Sequence, residues 1–214
     1  RQCTEAELAG IAAIAMDMGE PYIRATHACV PDAAKKIGFD KYHAVRTVTA
    51  AGDTVRRQEH QALQAEDDAR LKGTRYLWLW NEEKIPEWCR AEFEALRVAK
   101  LQTSRAWALK ESLRDFWTYR SPAWAQQYFS AWFFWATHSR LAPILKAAKT
   151  LKRHLPNLLT YCTPRITTAT CEAINSKIQM VKLMACGSRT REHYKTAILF
   201  HCGGLDLYPR AESV

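Results

Sequence analysis

Two short apolar segments, each closed by an aspartate, constrain this chain more than any other feature. Ile11 to Met16 ends at Asp17, Lys35 to Phe39 ends at Asp40, and a helix over Tyr22 to Cys29 separates them. Met18-Gly19-Glu20-Pro21 stops the first strand and sets a proline near the start of the helix, and Val30-Pro31-Asp32 ends it. A strand, helix and strand in so short a span must pair in parallel. A right-handed crossover then brings Asp17 and Asp40 to the same carboxyl edge, where α/β proteins gather their ligands. Two strands make a poor sheet, because their edges stay unpaired and their faces barely covered. Either helices compensate, or strands of this sheet lie before Arg1.

From Tyr42 onward the chain reads as helical over 42–70, 87–99, 103–119, 122–138, 141–160, 170–186 and 190–202, divided by Gly73, Pro86, Ser121-Pro122, Pro143 and Pro164. The tail from Tyr208 to Val214 reads as loose. The fold class is therefore α/β but predominantly helical. The longest aromatic-apolar run, Tyr128 to Ala136, is far short of the ~20 residues a membrane helix needs, and no charged-then-apolar leader opens the chain. We expect neither a membrane partner nor secretion. The seven cysteines are odd in number and contain no Cys-x-x-Cys, which argues against a disulfide framework or a zinc knuckle and for mostly buried thiols in a reducing, cytoplasmic setting. The chain opens on Arg1 without an initiator Met, so it reads as part of something longer.

Charge is unevenly spread. Residues 1–96 carry 13 Lys+Arg against 16 Asp+Glu, whereas residues 97–214 carry 18 against 6. Clustered cations gain counterion-release free energy on a phosphate backbone, so the second half calls for a polyanion. Between Asp115 and Glu192 there are eleven cations and one carboxylate, Glu172, which is either a solvated helix residue or a functional acid. Trp124, Tyr128, Trp132 and Trp135 recur at the spacing of one helix face. That stripe predicts burial of Trp124, Trp132 and Trp135 between helices; stacking on unpaired bases is the alternative.

Asp17, at a strand end in a turn, suits divalent-metal binding or helix capping. Asp40 stands at the second strand's end with His43 one helical turn on, as a functional pair or as an N-cap with an incidental histidine. Glu172, Asn175, Ser176 and Gln179 share one helix face and Ile174, Ile178 and Val181 another, so the acid can point into a cleft. Lys177, Lys182, Arg189 and Arg191 flank it as phosphate contacts, and Arg165 precedes it.

The residues also carry a resemblance. Ala15-Met16-Asp17-Met18, Pro21-Tyr22, Phe39-Asp40-Lys41-Tyr42-His43, Arg75-Tyr76-Leu77-Trp78, Ala108-Leu109-Lys110-Glu111, Trp135 to Arg140, Arg165-Ile166-Thr167, Glu172 to Ile178 and His201 to Pro209 resemble, in this order, the catalytic domain of bacterial insertion-sequence transposases of the ISL-three family. The resemblance implies a ribonuclease-H-like (retroviral-integrase-like) core interrupted by an all-α insertion: core over 1–59, insertion over 60–165, core again over 166–207, and a tail over 208–214. It implies a DDE-type DNA transposase in which two Asp and one Glu hold two Mg²⁺, or Mn²⁺, for strand cleavage and strand transfer. Asp17 would be the second Asp and Glu172 the Glu, both catalytic and metal-ligating, with their carboxylates about 4 to 8 Å apart. Asp40 and His43 would supply a supporting Asp-x-x-His motif. Duplex DNA, as transposon ends and target, is the implied partner, a homo-oligomer the implied state at full length, and the bacterial cytoplasm, on the nucleoid, the implied location.

Hard carboxylate oxygens, not thiols or imidazoles, are what Mg²⁺ takes. In the family the first Asp lies on the sheet's first strand, upstream of everything here, so this chain alone is expected to be inactive. Gly19 stands where the family has a bulky aromatic, Ala173 replaces a Gly, and Met184-Ala185-Cys186-Gly187-Ser188-Arg189 replaces a more aromatic pattern, departures that suit a decaying element copy. The residues leave two other readings open: a non-enzymatic DNA-binding helical module, and a Mg²⁺-dependent α/β phosphoryl-transfer enzyme of another class. Absent Gly-rich phosphate loops weaken the latter.

Overall fold

The computed structural model describes residues 3–162, 169–185, 187 and 190–203. They form two compact units, Arg1–Ile166 and Thr167–Val214. In the first, α1 (Glu5–Ala9) precedes β1 (Ile14–Met16), α2 (Glu20–Cys29), α3 (Ala33–Lys36), β2 (Ile37–Phe39) and α4 (Lys41–Ala65). The helices α5 (Arg75–Leu79), α6 (Glu87–Val98), α7 (Gln102–Arg114), α8 (Pro122–His138), α9 (Ala142–Arg153) and α10 (Leu155–Thr160) complete it, and α11 (Ala169–Met184) and α12 (Arg191–Cys202) make the second.

The strands pair in parallel with Ile14, Ala15 and Met16 opposite Ile37, Gly38 and Phe39. Lys35 and Lys36, expected in the second strand, instead end α3. Asp32 takes a left-handed conformation (φ 55°) ahead of Ala-Ala-Lys-Lys, all good helix formers, and β-propensity begins only at Ile37. β2 is buried on both faces, with Ile37 and Phe39 fully enclosed, and Asn157 of α10 donates to the Ile37 carbonyl at 3.2 Å. β1 is half-buried. Helices thus cover one strand of the pair, which is how so small a sheet persists.

The centre of the larger unit is α4. Ala44, Val48, Ala51 and Val55 form its buried stripe, and the small residues let α7 and α9 pack closely along it. Glu59, near its far end, accepts from the Gln102 and Thr103 amides at 2.7 Å each and from the Thr103 hydroxyl at 2.6 Å. A carboxylate at the start of α7 satisfies orphan amides and meets the positive end of the helix dipole.

α8 corrects the aromatic stripe. Its buried positions are Ala125, Phe129, Trp132 and Ala136, whereas Trp124 is 63% exposed and Trp135 43% exposed. The core face lies one residue beyond the face the large rings suggested, with Ala125 and Ala136 fully enclosed on it. Only Trp132 keeps its expected place, with its indole donating to the Leu109 carbonyl at 2.9 Å.

A second core packs Trp78, Phe93 and Trp107 together, with Phe93 4.9 Å from Trp107 by ring centroids. Lys110, almost wholly buried, ties this core to α7: its ammonium donates to the Trp80 carbonyl at 2.5 Å and pairs with Glu111 at 3.0 Å. Burial pushes the Lys110 ammonium below its usual pKa. Arg114 extends the network, bonding Glu111 and Glu83, and draws the Glu83 carboxyl down to about 2.

Between residues 60 and 162 every regular element is helical, with helical ending sooner after α4 than expected, at Ala65. No described helix is long and apolar enough to cross a membrane. The thiols differ from expectation: Cys89 and Cys162 are buried, but Cys3 and Cys29 are exposed and Cys202 is intermediate.

In the smaller unit α11 packs on α12, whose N-cap Thr190 accepts from the His193 amide at 3.2 Å.

Candidate active site and basic surfaces

The carboxyl edge of the sheet is where the chain first brings acids together. Asp17 and Asp40 directly follow Met16 and Phe39, which face each other in register, and the Asp40 amide donates to the Met16 carbonyl at 3.1 Å. Their side chains are held differently. Asp40 is 3% exposed and its Oδ1 accepts from the Tyr42 amide at 2.6 Å, so it caps α4. Asp17 is half-buried, and its Oδ1 accepts from the Gly19 amide at 3.0 Å in a two-residue turn. Gly19 lies close to it: a Cβ there would come within 2.8 Å of that same oxygen, so a side chain at this position would make the carboxylate shift.

His43, one turn into α4, packs edge-on against Tyr42 with centroids 5.4 Å apart. Its Nδ1 is buried without a hydrogen-bond partner among the described residues. Phe39, at the end of β2, meets the ring of His154 edge-on at 5.2 Å. Burial, then the neighbouring Arg153 charge, lowers the His154 pKa.

Glu172 lies in the first turn of α11, exposed along with Asn175, Ser176 and Gln179. Ile174 is 42% exposed, Ile178 intermediate and Val181 buried, so the apolar face is only partly covered. Lys177, Lys182 and Arg191 are exposed; Arg165 and Arg189 lie outside the described residues. Asp17 and Glu172 belong to different units. Among the described residues, no three His, Cys, Asp or Glu side chains form a metal-holding group. Asp17 and Asp40 offer the hard oxygen donors a divalent cation takes, but two carboxylates, one of them committed to a helix cap, are fewer than such a site needs.

Sequence reasoning singled out the α11 cations and passed over α9. Lys146, Lys149, Lys152 and Arg153 are exposed there, opposite the buried Ile144, Ala147, Ala148 and Leu151. None of the four pairs with a carboxylate among the described residues, and Lys152 lies 4.4 Å from the Phe133 ring centroid. The three-residue spacing of those lysines was the available signal.

Comparison with known proteins identifies the family. The sequence model of the ISL3-type DDE family, described as transposase, matches residues 1–198. The chain is 29% identical over 187 residues to the transposase of insertion sequence element IS1001 from Bordetella parapertussis, covering 86% of this chain and 46% of that protein. It is 28% identical over 121 residues to the transposase of IS1557 from Mycobacterium tuberculosis, covering 56% of this chain and 27% of that protein. The chain thus spans less than half the length of these relatives, and no solved structure matches it. With the match running through both aspartates and the Glu172 helix, the chain belongs to the ISL3-type DDE transposase family.

Proposed function

We propose that this chain is part of the catalytic domain of a DNA transposase, with Asp17 and Glu172 as metal-holding acids in Mg²⁺-dependent strand cleavage and strand transfer. The observation that supports it most is Asp17: a carboxylate at the carboxyl edge of a parallel pair, fixed by a close glycine, within a family match that also spans Glu172. When bound, paired divalent ions would stabilise the attacking and leaving oxygens of an in-line phosphoryl transfer. The protein's own share is positional. The Gly19 amide holds the Asp17 carboxylate, the Asp40 amide bonds the Met16 carbonyl across the strand edge, His43 stands one turn into α4, and the exposed Lys177, Lys182 and Arg191 neutralise DNA phosphates.

In this reading residues 1–59 and 166–207 contribute to a ribonuclease-H-like core around the helical insertion of residues 60–165, and a further Asp supplied outside this chain completes the acid set. The chain alone is then inactive, and the full-length protein acts as a homo-oligomer on duplex DNA in the bacterial cytoplasm.

Duplex binding by the chain tests the DNA part directly. Affinity should fall with salt at a log-log slope of about −0.9 per phosphate contact, and replacing Lys177 and Lys182 by Ala should shrink that slope by about one unit each. Lys35 and Lys36, on the acidic half, are the control pair and should leave it unchanged. Salt-independent binding, or equal losses from both pairs, would refute the assignment.

A further inference from the structure

We propose that a groove between the α6–α7 connection and the last turn of α8 binds an unpaired nucleotide, its base stacked on Trp135 and its phosphates held by Lys100 and Arg105. This deepens the DNA-handling reading and rests on it. The groove, of about 550 Å³, is within the range small-ligand clefts occupy, and is lined by Arg97, Lys100, Arg105, Trp107 and Trp135 with no carboxylate in its wall. Arg97 is engaged by Glu94 at 2.8 Å. Lys100 and Arg105 are exposed and pair with no acid among the described residues, and Arg105 is steadied by donating to the Ser139 carbonyl at 3.3 Å. The exposed Arg140 follows directly in sequence.

Trp135 is 43% exposed at this cationic wall, and Phe134 beside it in sequence is 64% exposed. An indole half in water beside free cations lacks only a flat apolar partner that carries negative charge. A nucleotide supplies both, but a base in a duplex is already stacked, so the ring selects an unpaired one. A second copy of the chain fits less well. In a two-fold contact the same patch meets itself, and Lys100 and Arg105 would face their own copies.

The test is fluorescence anisotropy with a labelled oligothymidine and a duplex of equal length, on the full chain. Trp135→Ala should weaken single-strand binding about tenfold, the loss of one stacked base, and leave duplex binding within about twofold. Trp135→Phe should retain most of the single-strand affinity. Trp124→Ala, three turns away on the same helix, should change nothing, and Lys100→Ala should cut the single-strand salt slope by about 0.7. Unchanged single-strand binding by Trp135→Ala, or equal loss on both DNAs, overturns the proposal while duplex binding itself still stands for the transposase reading. Sedimentation showing a wild-type dimer that Trp135→Ala dissociates assigns the groove to a second copy and likewise overturns it. A chain that binds neither DNA sinks both readings.

Discussion

Asp17 and Asp40 follow facing residues on neighbouring strands, yet one is enclosed in a helix cap and the other is held only by a local turn. Removing the cap from a 25-residue helix at the centre of the fold is costly, so Asp40→Ala should lower unfolding free energy by about 1–2 kcal/mol in urea titrations, and Asp40→Asn by far less. Asp17→Ala should stay within about 0.5 kcal/mol, because its carboxylate carries little of the packing. A comparable loss at both positions would make Asp17 a structural residue. His154 adds a pH dependence. Its folded-state pKa lies below the ordinary 6.5, so the unfolded chain binds the proton more readily and folding opposes protonation. The neutral ring's contribution is complete above about 6.5 and is lost as pH falls through that value toward the lower folded one. Melting temperature should drop over that interval, and His154→Phe should flatten the drop; an unchanged profile would show that another group titrates there.

At the scale of elements, helices with regular apolar spacing were legible: the bounds of α6, α8 and α12 differ from expectation by a residue at most. The strands were legible as a parallel pair but not in extent, because three residues of pairing leave no alternation to read, and Lys35-Lys36 has stronger helix propensity than strand propensity. α8 shows why a stripe of large rings can mislead. Counting aromatics selects Trp124, Tyr128, Trp132 and Trp135, but the buried face runs through Ala125 and Ala136, small residues that carry no signal of their own. The energetic consequence is direct. Trp132→Ala, emptying an enclosed site and removing the indole's bond to the Leu109 carbonyl, should cost about 3–5 kcal/mol, whereas Trp124→Ala should cost less than about 0.5 kcal/mol. Equal costs in denaturant titration would restore the original stripe.

For the molecule as a whole, what could be read in advance followed chain distance. Asp17 and Asp40 were assigned to one edge because a short crossover leaves few topologies, and the charge asymmetry needed only counting. The groove of Lys100, Arg105 and Trp135 was not legible, since two helices and the turn between α6 and α7 must pack before those residues meet. Glu172 is the extreme case: composition marks it as a lone acid among cations, and its proposed tie to Asp17 across 155 positions comes from the family resemblance alone. That tie is the central claim, and iron-mediated hydroxyl-radical cleavage of the polypeptide reads it. Fe²⁺ bound in place of Mg²⁺ cuts backbone within reach of the metal. We expect cuts both beside Asp17 and beside Glu172, suppressed together by excess Mg²⁺ and lost together in Asp17→Ala and in Glu172→Ala. Cuts at one segment alone, or cuts near Glu172 that persist when Asp17 is replaced, would contradict a shared metal site.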